Sequence, residues 1–324
     1  MILKPVEVIY HVLSRIKNVL YDIQLLKSKK LEVPVISIGN LSFGGTGKTP
    51  FIQFLALNFK DKKNIAIVCR SYKAKLKVAQ KVDYSVQGAP GLFGDEACLL
   101  QKTLPFCHVW SGPQKFRTAE ASLVDRPNLI LIDDGFSHRQ LLRDFDIVLF
   151  DTTKLTSEYY REAITSLKRA QAIVLTQTQL VAAEVVQKFK DKISLQFPHL
   201  SDSIFQSEMQ VSLDLSEASS LFGFCGIAKP EVFLKSLKGL GHTVIQFESF
   251  ADHQDYSAEF QSQILFKFKS LLVNHPQLKL VTTAKDAVKI TDIELTKLLN
   301  VTHYQVNMNL NEKARFFEKI SSSI

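Results

Sequence analysis

The segment Gly39-Asn-Leu-Ser-Phe-Gly-Gly-Thr-Gly-Lys-Thr-Pro50 follows directly on the apolar run Val35-Ile-Ser-Ile38. A strand that ends in glycines and a Lys-Thr pair leaves few folds open. Glycines let successive backbone N–H groups turn inward around an anion, and a helix beginning near Lys48 adds the positive end of its dipole. In such a loop Lys48 reaches the terminal phosphates of a nucleotide and the Thr49 hydroxyl holds Mg²⁺. The strict G-x-x-x-x-G-K-[ST] pattern has glycine where this chain has Ser42, with Gly44 and Gly45 supplying flexibility instead. An ordinary glycine-rich βα turn is the alternative; the strand before and the apolar helix expected over Phe51–Phe59 favour the phosphate loop.

Apolar runs at Pro34–Gly39, Asn64–Cys69, Leu129–Asp133, Asp146–Asp151 and Gln171–Thr176 alternate with helical stretches, which predicts a parallel sheet covered on both faces. A second series follows at Leu221–Phe224, Thr243–Phe247, Leu278–Thr283 and Thr302–Val306. At 324 residues two cores are expected. The polar stretch Ser212–Ser220 is the predicted boundary, dividing a core domain (31–214) from a smaller α/β domain (215–324).

The first thirty residues carry apolar positions at helical spacing from Ile2 to Ile23, interrupted by Lys4, Glu7, Arg15, Lys17 and Asp22. The interruptions exclude a transmembrane helix, which needs roughly 20 mostly apolar residues, and no small-residue cleavage site marks a secretory signal. A basic amphipathic helix ending in Lys27, Lys29 and Lys30 suits an anionic membrane surface, or else packs its stripe on the domain behind it. The net charge of +8 implies an anionic partner without choosing among nucleic acid, acidic lipid and a phosphorylated substrate. Cys69, Cys98, Cys107 and Cys225 show no metal-ligand spacing and read as reduced and buried.

In open α/β sheets ligands bind at the carboxyl ends of strands. Leu129-Ile-Leu-Ile-Asp-Asp-Gly-Phe-Ser-His138 puts Asp133 and Asp134 at such an end, where a Walker-B-type acid meets Mg²⁺, with His138 returning toward the same site. Asp95 stands where a helix N-cap would be, and reads either as a cap or as an acid that accepts the proton of an attacking hydroxyl. Asp252-His253 is a second acid–imidazole pair. Arg161-Glu162 and Lys168-Arg169 flank a predicted helix over Glu162–Ala170, where ordinary surface pairing accounts for them. Thr283-Ala-Lys-Asp286 lacks the Asn-Lys-x-Asp of a guanine reader, which argues against a GTPase.

In order and spacing these segments resemble the tetraacyldisaccharide 4′-kinase family of the lipid A pathway. The resemblance rests on Pro34-Val-Ile-Ser-Ile-Gly-Asn40 leading into Gly44-Gly-Thr-Gly-Lys-Thr-Pro50, then Gly94-Asp-Glu96 and Asp133-Asp-Gly-Phe-Ser-His138. It continues through Arg161-Glu162, Leu167-Lys-Arg-Ala170, Gly226-Ile-Ala-Lys-Pro230, Asp252-His253 and Lys285-Asp-Ala-Val-Lys289. The chain departs from the family pattern at Ser71 and Lys73, at Ala97, at Ser137 and at Ala284; the missing first Walker glycine is shared with the family.

The resemblance implies a P-loop NTPase-like parallel sheet, a smaller C-terminal α/β domain and an N-terminal amphipathic helix (1–30). It implies ATP-dependent phosphorylation of the 4′-hydroxyl of a tetraacylated glucosamine disaccharide 1-phosphate. ATP would be held by Ser42, Phe43, Gly44, Gly45, Thr46, Gly47, Lys48 and Thr49, aided by Glu96 and His138. Mg²⁺ would be managed by Thr49 with Asp133, Asp134 or Glu162. Asp95 supported by His253 would deprotonate the hydroxyl, with Lys48 on the phosphates. A bilayer-anchored substrate makes the membrane surface the expected partner of the first helix, at the cytoplasmic face of the bacterial inner membrane, and no nucleic acid is expected. A soluble P-loop kinase of a small metabolite and a nucleotide-driven switch or metallochaperone are the rival readings.

Overall fold

Val35–Asn40 forms strand β1, and all six of its residues are buried, so only a central position between two neighbours accommodates it. The structure, a computed structural model, describes residues 16–42, 45–71, 75–155, 162–215 and 217–324. Strands β2 (Ile65–Arg70), β3 (Gln80–Lys81), β4 (His108–Gly112), β5 (Leu129–Asp133), β6 (Phe145–Asp151), β7 (Ala172–Thr176) and β8 (Ile204–Gln206) join β1 in an eight-stranded sheet. Its order is β3-β4-β2-β5-β1-β6-β7-β8, parallel except where β3 meets β4. A second, five-stranded sheet takes β9 (Glu208–Leu213), β10 (Ser220–Cys225), β11 (Thr243–Ser249), β12 (Lys279–Thr283) and β13 (Leu299–Asn307), in the order β11-β10-β12-β13-β9. In each sheet the strand order reverses beside a glycine-containing loop, after β1 in the first and after β10 in the second.

Five helices bear on the site. They are α1 (Lys48–Phe59), α2 (Asp95–Thr103), α3 (Pro230–Gly239), α4 (Ala284–Ala287) and α5 (Leu310–Ser321). Helix α1 starts at Lys48, as expected, and buries Phe51, Ile52, Phe54, Leu55, Ala56 and Phe59 against the first sheet. Fully burying such side chains contributes about 1.5–3 kcal/mol each.

The predicted boundary near residue 214 does not match the division of the sheets. Strand β9 already pairs antiparallel with β13, so the chain enters the second lobe just after Ser207. Helix α5 returns to the first lobe, where the Phe316 ring lies 5.9 Å from Phe51 and 5.1 Å from Phe205, and Phe317 lies 5.6 Å from Phe54. The alternating Glu208-Met-Gln-Val-Ser-Leu213 is an edge strand exposed on one face, a pattern easily read as linker. Strands β3, β4 and β8 were also absent from the sequence expectation, being short or interleaved with polar residues. The predicted helix over Glu162–Ala170 is a 3₁₀ segment, Ile164–Arg169. Of the predicted N-terminal helix, residues 16–22 are helical and 1–15 lie outside the described residues.

Candidate active site

The turn after β1 is built around its last residue. Asn40 Nδ2 donates to the Ser42 carbonyl at 2.8 Å, and Asn40 Oδ1 accepts from Lys48 Nζ at 3.1 Å. Lys48 Nζ also lies 3.7 Å from Asp134 Oδ1, which ties the loop to the end of β5. Gly47 holds a left-handed φ of 80° at the cap of α1, and a Cβ there would approach Met209 Cε to 2.7 Å. Backbone conformation is what requires glycine here, since the Met209 side-chain end can move aside. Thr46 is buried, and its Oγ1 has no hydrogen-bond partner among the described residues; Thr49 is half-buried. Phe43 and Gly44 lie outside the described residues.

Asp133 ends β5, with its Oδ1 buried and without a hydrogen-bond partner among the described residues. Burial pushes its carboxyl up to about 6, against the opposing charges of Lys115 and Lys48 and assisted by Asp134 and Glu96. Those four groups therefore surround it closely enough to act on its charge. Asp134 takes a left-handed φ of 51°. The buried Lys115 donates to the Asp133 carbonyl and, at 2.5 Å, to the Asp134 carbonyl, and so clamps this turn. A Cβ on Gly135 would meet Ser37 Cβ at 2.5 Å, so the turn lies directly on β1. His138 is drawn down to about 3, by burial first and by Lys115 next, which leaves a neutral imidazole at physiological pH.

Glu162, expected among the metal ligands, is held in a buried ion pair. It is buried, its Oε1 accepts from Arg169 Nη2 at 2.7 Å and Asn18 Nδ2 at 3.0 Å, and its Oε2 accepts from Ser137 Oγ at 2.7 Å. Both oxygens are engaged in tying the N-terminal helix to the segment after Asp133-Asp-Gly. Arg169 lies 4.5 Å over the Phe136 ring, so this is a packed ion pair and not the surface pairing expected for a solvated helix. Among the described residues no group of three or more His, Cys, Asp or Glu side chains is placed to hold a metal by itself.

Asp95 is the first residue of α2 and not its cap; Gly94, with φ 99°, holds that position without a side-chain bond. The Asp95 side chain crosses to the second lobe, where its Oδ2 lies 3.1 Å from His253 Nδ1 and 3.6 Å from Lys289 Nζ. His253 takes a left-handed φ of 61° in the loop after β11, and its N–H donates to the Gly226 carbonyl at 3.2 Å. Its Nε2 lies 3.3 Å from Lys285 Nζ, which pairs with Glu96 Oε1 at 3.1 Å and stands 3.6 Å from Asp252. Lys289 is anchored by Asp286 at 3.0 Å and by the Gln254 carbonyl at 3.0 Å. Burial pushes the Asp95 carboxyl up, but the His253 hydrogen bond and the charges of Lys289 and Lys285 outweigh it and hold the group below its ordinary value. Replacing Lys289 with Met removes one of those charges, so the acidic limb of a kcat/KM profile set by Asp95 should move to higher pH. A limb that stays in place in that variant would assign it to another group.

Two lysines of this network were not singled out from sequence. Lys115 follows β4, and a strand recognised there would have placed it at a carboxyl end. Lys289 lies within the quoted Lys285–Lys289 segment, but nothing local marks it as reaching Asp95, which is remote in sequence.

A phosphate loop after a central parallel strand, acids at the neighbouring strand end and a second α/β lobe closing over them define a two-lobed P-loop kinase. The chain belongs to the tetraacyldisaccharide-1-phosphate 4′-kinase family (LpxK), whose model matches residues 1–324. Tetraacyldisaccharide 4′-kinases from Bdellovibrio bacteriovorus and Aquifex aeolicus are each 34% identical to it, covering 90% and 97% of this chain and 89% and 96% of their own lengths. The crystal structure of LpxK from Aquifex aeolicus in complex with ATP superimposes with a TM-score of 0.73 at 30% identity, covering 98% of this chain and 97% of that one.

Proposed function

We propose that this chain transfers the γ-phosphoryl group of ATP to the 4′-hydroxyl of a tetraacylated glucosamine disaccharide 1-phosphate, forming lipid IVA, with Asp95 as the base. The observation that carries this reading is the 3.1 Å contact between Asp95 and His253, which joins the two lobes at the cleft. An alcohol is a weak nucleophile at neutral pH, so a positioned base is needed, and transfer otherwise requires orientation and charge neutralisation. Asp95 accepts the hydroxyl proton, and His253 and Lys289 hold the carboxylate ionised and aimed. Lys48 and the backbone of residues 42–49 hold the β- and γ-phosphates. Glu96 acts through its pair with Lys285, and the neutral His138 offers a hydrogen bond and no charge.

Mg²⁺, when bound, neutralises charge on the β- and γ-oxygens. Thr49 and one of Asp133 and Asp134 would hold it. The buried Asp133 Oδ1, without a hydrogen-bond partner among the described residues, fits that assignment, because a cation would satisfy it and favour its ionised form. Because the base and its orienting imidazole come from different lobes, separation of the lobes dismantles the site, which limits hydrolysis of ATP by water.

We also place the chain at the bilayer surface. Ile16, Val19 and Ile23 are 51%, 53% and 64% exposed at helical spacing, an apolar stripe continuous with the pattern of residues 1–15. No helix among the described residues is long and apolar enough to cross a membrane, which agrees with peripheral attachment. Incubating the full chain with radiolabelled ATP and a lipid A disaccharide precursor tests the activity; label that remains in ATP or appears only as free phosphate rejects it. Deleting residues 1–30 should release the protein from anionic vesicles in a flotation assay. Equal flotation of both forms would return the helix to a packing role.

A further inference from the structure

Beside the phosphate loop, on the β6 side, a second contact joins the lobes. Asp151, the last residue of β6, is buried, and its Oδ1 accepts from Thr153 N at 3.0 Å and Thr153 Oγ1 at 2.6 Å. Its Oδ2 makes no hydrogen bond among the described residues; it has Lys154 Nζ at 3.8 Å and, from the other lobe, Lys229 Nζ at 3.8 Å. At that separation the contacts are ion pairs without hydrogen-bond geometry. Two ammonium groups thus converge on one oxygen. Burial first, and the charge of Lys229 next, draw Lys154 below its ordinary value, and Lys48 contributes in the same direction. Lys229 and Lys48 thus each act on Lys154, and Thr176, the sheet partner of Asp151, donates to the Thr46 carbonyl of the phosphate loop at 3.3 Å.

Lys229 is the residue before Pro230 at the start of α3, in the loop that follows β10, and its side chain is 40% exposed. It is carried by the lobe that brings His253 to Asp95, and cations gathered beside the phosphate loop favour an added anion. We propose that Lys229 is a phosphate-contacting residue supplied by the second lobe, resting on Asp151 and transferring to the terminal phosphate of the bound nucleotide. The inference rests on the kinase reading above and adds a group to it. Lobe closure then completes two halves of the site together, the base at Asp95 and a cation on the phosphoryl group being transferred.

The test is calorimetric binding of a non-hydrolysable ATP analogue and of ADP, both with Mg²⁺ and without lipid acceptor, to the full chain and to Lys229→Met and Lys229→Arg. A charge-assisted contact to the terminal phosphate predicts a loss of about ten- to a hundredfold in affinity for the analogue in Lys229→Met. ADP should bind as in the parent, and Arg should restore most of the analogue affinity. Unchanged analogue binding, or equal losses for analogue and ADP, would overturn the proposal. A merely structural role cannot produce the selective loss, since it would weaken both nucleotides alike. Failure of the kinase reading is distinguishable, because it shows as absence of label transfer to the lipid acceptor in the assay above, whereas the nucleotide selectivity of Lys229→Met is read without acceptor.

Discussion

Asp95→Asn is expected to lower kcat by roughly 10²- to 10⁴-fold, the range for loss of a general base, while leaving the Kd for ATP within about twofold, since an amide of equal size should leave the phosphate-loop contacts in place. The amide keeps the size of the carboxylate and preserves a hydrogen bond to His253, 3.1 Å away, but has no basic oxygen pair to receive the acceptor's proton. The lysine cluster makes the contrast sharper. With Lys289 at 3.6 Å and Lys285 behind His253, the ionised form of Asp95 is favoured, so the parent enzyme retains its base under mildly acidic conditions. Titration of ATP monitored by intrinsic fluorescence, alongside turnover with saturating lipid, separates the two quantities. Collapse of ATP affinity with turnover preserved would reassign Asp95 to nucleotide positioning.

Glu162→Ala should cost about 3–5 kcal/mol of stability, the range for removing one partner of a buried ion pair. Arg169 would be left against Phe136 with its charge unmatched, and Asn18 and Ser137 would each lose a hydrogen bond. In the folded protein burial pushes the Glu162 carboxyl up, but the charge and hydrogen bond of Arg169 and the hydroxyls of Ser137 and Ser166 bring it below its ordinary 4.5. A carboxyl lowered by folding contributes fully above its unfolded value and loses that contribution as pH falls through the folded one. The melting difference between parent and variant should therefore be largest near neutrality and shrink in acid. An unchanged melting temperature together with an altered Mg²⁺ dependence of kcat would restore Glu162 to the metal site.

Much of the site could be read along the chain because its chemistry is locally encoded. The Gly39–Pro50 turn carries its strand, its glycines and its Lys-Thr pair within a dozen residues, and Asp133-Asp134 is announced by the apolar run before it. Residues whose role depends on distant partners were read less well. Residue pattern alone accounts for Glu162 by surface pairing and leaves Asp95 open between cap and base, because the partners Asn18, Ser137 and His253 are remote in sequence; only the family resemblance gives the two residues their site roles. Strand β9 went unread since an edge strand with one exposed face lacks the continuous apolar run that marked the central strands.

By itself the amino-acid sequence determined that this protein would be an α/β molecule with a nucleotide-phosphate loop, because backbone conformation and strand burial are specified within short windows of residues. The tertiary structure decided how the acceptor side is assembled, beyond the Asp95–His253 pairing that the family resemblance implies. It brought Asp95 to His253 and Lys289, and Lys229 to Asp151, across two lobes whose contacts span long stretches of chain. Electrostatic attraction acts through space, so its partners are named only when the fold closes.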